Sequence, residues 1–277
     1  MHHKKRGEKN MCRFVAYIGK NDILLSELLI KPSNSLVKQS LVSRESQTVT
    51  NGDGFGLGWY TSYDKTPALF TSLFPAWNDQ NLKYLAQKTR ASLFFGHIRA
   101  ASAGGISQFN CHPFIYKNWL FMHNGWIPYF TKVRRQIQNL LDDDIYNWIK
   151  GTTDSELIFA LFLQLAKKIK IRNANDIQAV LLEALHIINN LVNEHYKNGV
   201  CYFNICITNG KYTVAFRYCT SSQAKPETMY FFEDAITKQV IITSEKLSSK
   251  GLKWIAIPRN TGLLVDNGFN ISLKKLT

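Results

Sequence analysis

The sequence predicts an α+β layered domain: short apolar, strand-like segments occupy both ends of the chain, two long helical segments lie between them, and no linker-like tract divides the whole. With 277 residues, 45% of them hydrophobic and 19% charged, the chain has enough apolar material for a sizeable core. Residues 12–277 are expected to form one domain, and residues 1–11 are expected to be a leader or a wrongly assigned start. Neither internal repeats nor low-complexity segments interrupt it.

The first element is a strand. From Met11 to Ile18 the residues alternate loosely and are rich in Phe, Val, Tyr and Ile, which places Cys12 at a strand edge. A polar stretch follows, running through Pro32 to Ser35 and then Ser43 to Thr50, before the glycine-rich segment Gly52 to Tyr60. That segment reads as a loop passing into a strand. Leu93 to Ile98 and Trp119 to His123 are short, apolar and aromatic, and read as buried strands. Thr153-Asp154-Ser155-Glu156 has capping-box spacing ahead of a long apolar run that ends in lysines, which predicts a helix.

A second helix is expected over 176–196, where Ile177, Val180, Leu181, Leu185, Ile188, Leu191 and Val192 recur with helical period. Tyr202 to Thr208 and Tyr212 to Tyr218 flank Asn209-Gly210, a strong hairpin signal. Met229 to Phe232, Val240 to Thr243, Trp254 to Ile257 and Gly262 to Val265 read as further strands.

Composition narrows the function. No run of about 18 apolar residues occurs, so no membrane-spanning helix is expected. The N-terminus is basic, but Arg13 and Lys20 break the apolar run after it, which argues against a secretory signal. Five cysteines, an odd number without regular spacing, suit a reducing compartment, and a cytoplasmic protein is expected. The net charge of +14 would suit nucleic acid. Yet Lys4, Lys5, Arg6 and Lys9 against Glu8 supply +3 of it, the remaining cations are scattered, and no nucleic-acid fold signature accompanies them.

Each candidate functional residue has a structural alternative. Cys12 reads as a buried strand cysteine or as a nucleophile; lipidation fails because charged rather than apolar residues precede it. If Met11 is the start or the cleavage point, Cys12 carries a free α-amino group of pKa about 7.7–8.0, able to act as general base for its own thiol. Arg99, just past a buried strand, could grip a carboxylate with its planar fork or make a structural salt bridge. His97 reads as structural.

His123-Asn124-Gly125 could be a turn, or the Asn124 amide and the Gly125 N–H could converge on the oxyanion formed when a thiolate attacks an amide. Asp154 could merely stabilise a helix terminus or could hold a substrate ammonium. The glycines of 52–58 do not match a dinucleotide fingerprint; they permit close backbone approach, with Asp53 placed to bond nearby main chain. Cys111-His112, Cys201, Cys206 and Cys219 lack zinc-site spacing, so no metal is assigned.

Together, MCRFVAYIG, NGDGFGLGWY, FGHIRAAS, NCHPF, FMHNG and GTTDSE stand in the order seen in the class II glutamine amidotransferases of the N-terminal nucleophile hydrolase superfamily, which the chain resembles from Met11 to about Leu264. With PAWNDQNL and the late TSEKL and W-x-A-I-P stretches, it is similar more narrowly to the amidotransferase-like subunit of the yeast-type glutathione degradation complex. The resemblance implies a four-layer αββα sandwich. It also implies Cys12 as nucleophile, Asn124 and Gly125 as oxyanion hole, Arg99 as carboxylate anchor and Asp154 as ammonium anchor, with Ser102 near the substrate.

The implied reaction is hydrolysis of a γ-glutamyl amide through a γ-glutamyl thioester on Cys12, without a cofactor. Ala100 and Ala103 stand where sugar-phosphate amidotransferases carry tryptophan and histidine, which argues against that branch. The narrower resemblance implies glutathione or a related γ-glutamyl peptide as substrate and a metallopeptidase-like partner subunit, with neither nucleic acid nor membrane involved. The alternatives are a glutaminase subunit passing ammonia to a separate synthase, and a catalytically silent basic binding protein.

Overall fold

Alternation along the first strand organises the molecule. In β1 (Arg13–Leu24), Phe14, Ala16 and Ile18 face one apolar cluster and Val15 and Tyr17 another, and all five are buried. A strand with apolar neighbours on both faces belongs inside a layered structure. The computed structural model describes residues 11–46, 49–101, 105–197, 199–248 and 251–276.

After β1 the chain forms α1 (Ser26–Leu29), α2 (Leu36–Leu41), β2 (Phe55–Trp59), β3 (Ala68–Ser72), α3 (Gln80–Lys88), β4 (Arg90–Ile98), β5 (Phe114–Tyr116) and β6 (Trp119–Trp126). Next come the helices α4 (Phe130–Gln138), α5 (Asp143–Trp148), α6 (Asp154–Ala166) and α7 (Ala174–His195). The chain closes with β7 (Tyr202–Thr208), β8 (Thr213–Cys219), β9 (Tyr230–Asp234), β10 (Gln239–Thr243), β11 (Ile255–Ala256), β12 (Thr261–Val265) and β13 (Ile271–Lys275).

Two sheets, antiparallel throughout, result. One runs β11-β9-β10-β1-β4-β2-β3 and the other β13-β12-β8-β7-β6-β5. Three apolar clusters hold four layers together. The middle cluster joins Phe14, Ala16, Phe95 and Val240 of the first sheet to Leu120, Met122, Cys206 and Leu263 of the second. The outer face of the first sheet packs Val15, Tyr17, Phe55 and Phe94 on Leu28 and Leu29 of α1, Leu36 of α2 and Leu82 of α3. The outer face of the second packs Phe121, Phe203 and Phe216 on α6 and α7. This is the αββα sandwich that the resemblance implied.

Several element bounds differ from expectation. The first strand continues to Leu24, because β4 pairs with it past an irregularity between Ile18 and Ile23. Asn124 and Gly125 lie within β6 rather than in a turn, since Asn124 pairs with Asn204 and Gly125 with Phe203 across β7. The helix expected after Thr153 does form, with the Thr153 side chain accepting from Glu156 N at 3.2 Å. The capping box is only half made: the Glu156 carboxylate instead accepts from Lys150 N and Gly151 N. That helix stops at Ala166, before the lysines. Among the described residues, no helix is long and apolar enough to cross a membrane.

Candidate active site

Strand parity assembles the site. Cys12 precedes Arg13, which pairs with Ile98 of β4, so Cys12 comes beside Arg99 one step further along. By alternation Cys12 shares the inner face of Phe14 and Ala16, and Arg99 that of Phe95 and His97. On the opposing sheet Asn124 shares the inner face of Leu120 and Met122. Three residues 25 to 112 positions apart in the chain therefore turn toward the gap between the sheets, although Asn124 is not among the residues that line the cleft beside Cys12. Cys12, Arg99, Gly125 and Asp154 line that cleft, with His112, His123, Thr153 and Ser155.

The glycine-rich loop sets Arg99 and Ala100. Asp53 N donates to Arg99 O at 3.0 Å, Arg99 N donates to Gly54 O at 2.8 Å, and the Asp53 carboxylate accepts from Ala101 N at 2.7 Å. Gly54 has φ of +104°, a conformation that L side chains rarely adopt. Ala100 N in turn points at Cys12 Sγ, 3.4 Å away, and the Arg99 guanidinium donates to Gly105 O at 3.4 Å. Asp53 thus does what its position in the sequence suggested.

Arg13 was legible only as a break in an apolar run, yet it anchors Cys12. Its Nη1 donates to Cys12 O at 2.8 Å, its Nε to Glu245 at 3.0 Å and its Nη2 to Glu227 at 3.0 Å. Arg13 and Glu245 are completely buried. Glu245 also accepts from Asn34 Nδ2, Arg44 N and Glu45 N, so it ties the segment before α2 and the segment after it to the start of β1. The TSEKL stretch that carried part of the resemblance contains this carboxylate.

On the facing sheet, Asp154 sits one residue inside α6, with Thr153 as the capping residue. Its carboxylate accepts from Ile127 N at 3.1 Å and Ser155 N at 2.8 Å. His123 Nε2 lies 3.1 Å from Tyr202 O, a pure acceptor, so Nε2 carries the proton and Nδ1 accepts from the Ser155 hydroxyl at 2.9 Å. Gly125 has no room for a side chain: a Cβ there would stand 2.0 Å from Tyr202 O. The Asn124 amide is buried, and neither its oxygen nor its nitrogen has a hydrogen-bond partner. A buried amide left so costs roughly 1–3 kcal/mol, which suits a group reserved for a ligand. Ser102, the remaining candidate, lies outside the described residues.

Burial controls the protonation of the site. It pushes the half-buried Cys12 thiol up, against the Ala100 backbone hydrogen bond and the Arg99 and Arg13 charges. The nearby histidines make poor bases: burial holds His97 down to about 3, puts His112 well below its ordinary value, and lowers His123 despite the opposing charge of Asp154. Among the described residues no group of three or more His, Cys, Asp or Glu side chains could hold a metal ion.

A model of the family described as class-II glutamine amidotransferases matches residues 24–256, a span that contains Arg99, Asn124, Gly125 and Asp154 but begins after Cys12. The probable glutamine amidotransferase DUG3 of Saccharomyces cerevisiae is 33% identical over 92% of this chain and 82% of its own. The gamma-glutamyl-hercynylcysteine sulfoxide hydrolase of Mycobacterium tuberculosis is 29% identical over 42% of this chain and 49% of its own. The solved structure of a glutamine aminotransferase class-II domain protein from Silicibacter pomeroyi superposes with a TM-score of 0.72 at 24% identity, covering 96% of this chain and all of that one.

Proposed function

Because the chain belongs to the class II glutamine amidotransferases, enzymes of the amidohydrolase type, we propose that it hydrolyses the γ-glutamyl amide of glutathione or a related γ-glutamyl peptide with Cys12 as nucleophile. The observation that carries this reading is that one cleft is lined by Cys12 together with one cation, Arg99, and one carboxylate, Asp154. A γ-glutamyl group presents an α-carboxylate and an α-ammonium at one end and an amide carbon at the other. Arg99 takes the carboxylate, Asp154 the ammonium, and the δ-carbonyl comes to the sulfur.

In the proposed mechanism residues 1–11 are absent and the freed Cys12 α-amine takes the thiol proton. The sulfur forms a bond to the δ-carbon, and the carbonyl electrons move to an oxyanion that accepts hydrogen bonds from the Asn124 amide and Gly125 N–H. Collapse breaks the C–N bond, the leaving amine takes the proton held by the α-ammonium, and a γ-glutamyl thioester remains. Water, deprotonated by the same amine, attacks the thioester carbon and releases glutamate and the thiol. With the neighbouring histidines so weakly basic, the α-amine is the group whose pKa matches neutral pH.

The choice of a γ-glutamyl peptide over glutamine draws on the resemblance to the amidotransferase-like subunit of the glutathione degradation complex and on the likeness to the gamma-glutamyl-hercynylcysteine sulfoxide hydrolase. A metallopeptidase-like partner that would consume the released dipeptide, and a cytoplasmic location in keeping with five free cysteines, belong to the same proposal. Protein beginning at Cys12 is to be incubated separately with glutathione and glutamine and assayed for glutamate. Glutamate from glutathione supports the reading, and release from glutamine alone would replace it with an ammonia-supplying glutaminase.

A further inference from the structure

Between the sheets, at the pole opposite Cys12, lies a cavity of about 750 Å³, within the roughly 300–1,000 Å³ usual for small-molecule sites. Strand register locates it. Arg13 pairs with Ile98 near Cys12, whereas Leu93 on the cavity wall pairs with Ile18, five residues and roughly 17 Å along the strand. The floor is ordered and neutral. Tyr60 is buried and donates its hydroxyl to Asn118 O at 2.7 Å, and the Asn118 amide donates to Asn209 O at 2.9 Å.

The rim is basic. Lys65 comes from the β2–β3 loop, Lys170 and Arg172 from the α6–α7 connection, and Lys211 from the β7–β8 turn. All four are exposed, and among the described residues none is in an ion pair. The carboxylate on the rim, Asp64, is turned onto Thr66, whose backbone N–H and hydroxyl both donate to it. Three loops from both halves of the sandwich thus bring four cations against the one Asp64 carboxylate around one concavity, an excess of positive charge that favours an anion. Tyr63, 87% exposed, and Tyr212, partly buried against the helix-side core, line the same cavity.

We propose that this cavity binds a nucleoside polyphosphate, its phosphates against Lys65, Lys170, Arg172 and Lys211 and its base on the tyrosine wall. Charge-assisted hydrogen bonds to phosphate account for the cations, and ring stacking for the exposed tyrosine. A nucleic-acid strand would call for an extended basic track rather than one compact concavity. The site shares no residue with the Cys12 cleft and does not depend on the γ-glutamyl reading.

The test is calorimetric titration of the full chain with ATP, tripolyphosphate, adenosine and a single-stranded oligonucleotide, for the native protein and for Lys170→Glu/Arg172→Glu. ATP should saturate one site per chain, tripolyphosphate should bind more weakly and adenosine more weakly still. The double variant should weaken ATP binding by about tenfold or more while keeping its melting temperature and any γ-glutamyl hydrolysis. Lys65→Gln/Lys211→Gln, which removes charge without reversing it, should weaken ATP in the same direction. The proposal is overturned by absence of saturable ATP binding at about 1 mM, by variants that bind ATP like the parent, by tripolyphosphate binding as tightly as ATP, or by an oligonucleotide that outcompetes ATP.

Discussion

Replacing Arg13 should separate folding from catalysis. The guanidinium spans Glu245, Glu227 and Cys12 O, and neither Arg13 nor Glu245 reaches solvent. Arg13→Met leaves the Glu245 carboxylate buried without its counter-ion, a change that costs about 3–5 kcal/mol out of a total stability of roughly 5–15 kcal/mol. At about 2–4 °C per kcal/mol for a chain of this size, the melting temperature should fall by roughly 10 °C. Arg13→Lys keeps a charge, but one ammonium does not reach all three partners, so its loss should be intermediate. Arg13→Met also frees the Cys12 carbonyl, and a nucleophile displaced by about 1 Å can lose roughly 100-fold in rate. The assay is thermal unfolding by circular dichroism beside kcat/KM, measured well below each variant's transition. Arg13→Met melting within about 1 kcal/mol of the native protein, or activity tracking the folded fraction alone, would refute the reasoning.

Four further outcomes are expected. Asn124→Ala should lower kcat about 100- to 1,000-fold without lowering the melting temperature, because the amide it removes is buried without a partner; a destabilised variant would show that the side chain is structural. Protein retaining Met11 should fold normally and fail to hydrolyse γ-glutamyl amides, since an amide nitrogen has no basicity; full activity with Met11 present, confirmed by intact mass, would eliminate the α-amine as base. Asp154→Asn should raise KM for γ-glutamyl substrates more than it lowers kcat, which steady-state kinetics will read. Stability should fall with acid: His97 is held down to about 3 and His112 and His123 are lowered, so below the unfolded value of about 6.5 the unfolded chain binds protons that the folded one refuses. The stability these groups confer is present above that value and is lost as pH falls through it, by about 1 kcal/mol for each imidazole that stays neutral between pH 6.5 and 5.5. Glu156, pushed up by burial, works in the opposite sense and flattens the slope at its own titration. Urea midpoints that do not move between pH 7.5 and 5.5 would contradict this.

The local part of the fold was legible because its signals repeat at short range. Helical periodicity marked α7, although its cap, Asn173 with Asp176 in a capping box, went unread. The apolar run after Thr153 marked α6, and Asn209-Gly210 marked the hairpin, where Asn209 Oδ1 accepts from Lys211 N and Tyr212 N. The short helices α1 to α5 and the edge strands β3, β5 and β13 were not anticipated. Several of them expose part of their apolar surface at the margin of the sandwich, among them Leu69, Tyr84, Tyr146 and Leu273, which blurs the pattern on which such a reading depends.

The residues of the site divide in the same way. Cys12, Arg99, Asn124, Gly125 and Asp154 each carried a chemical identity in the sequence, and the order of the motifs made them a set. What alternation within a strand left open was the pairing between strands, and that pairing turns Cys12, Arg99 and Asn124 into the same gap. Arg13 and Glu245 stand 232 positions apart, with no local pattern linking them. Their ion pair exists only because folding takes both out of water, where an unpaired charge is costly enough that each requires the other. The basic cavity has the same origin: Lys65, Lys170, Arg172 and Lys211 are scattered cations in the sequence and neighbours only where three loops close one end of the sandwich.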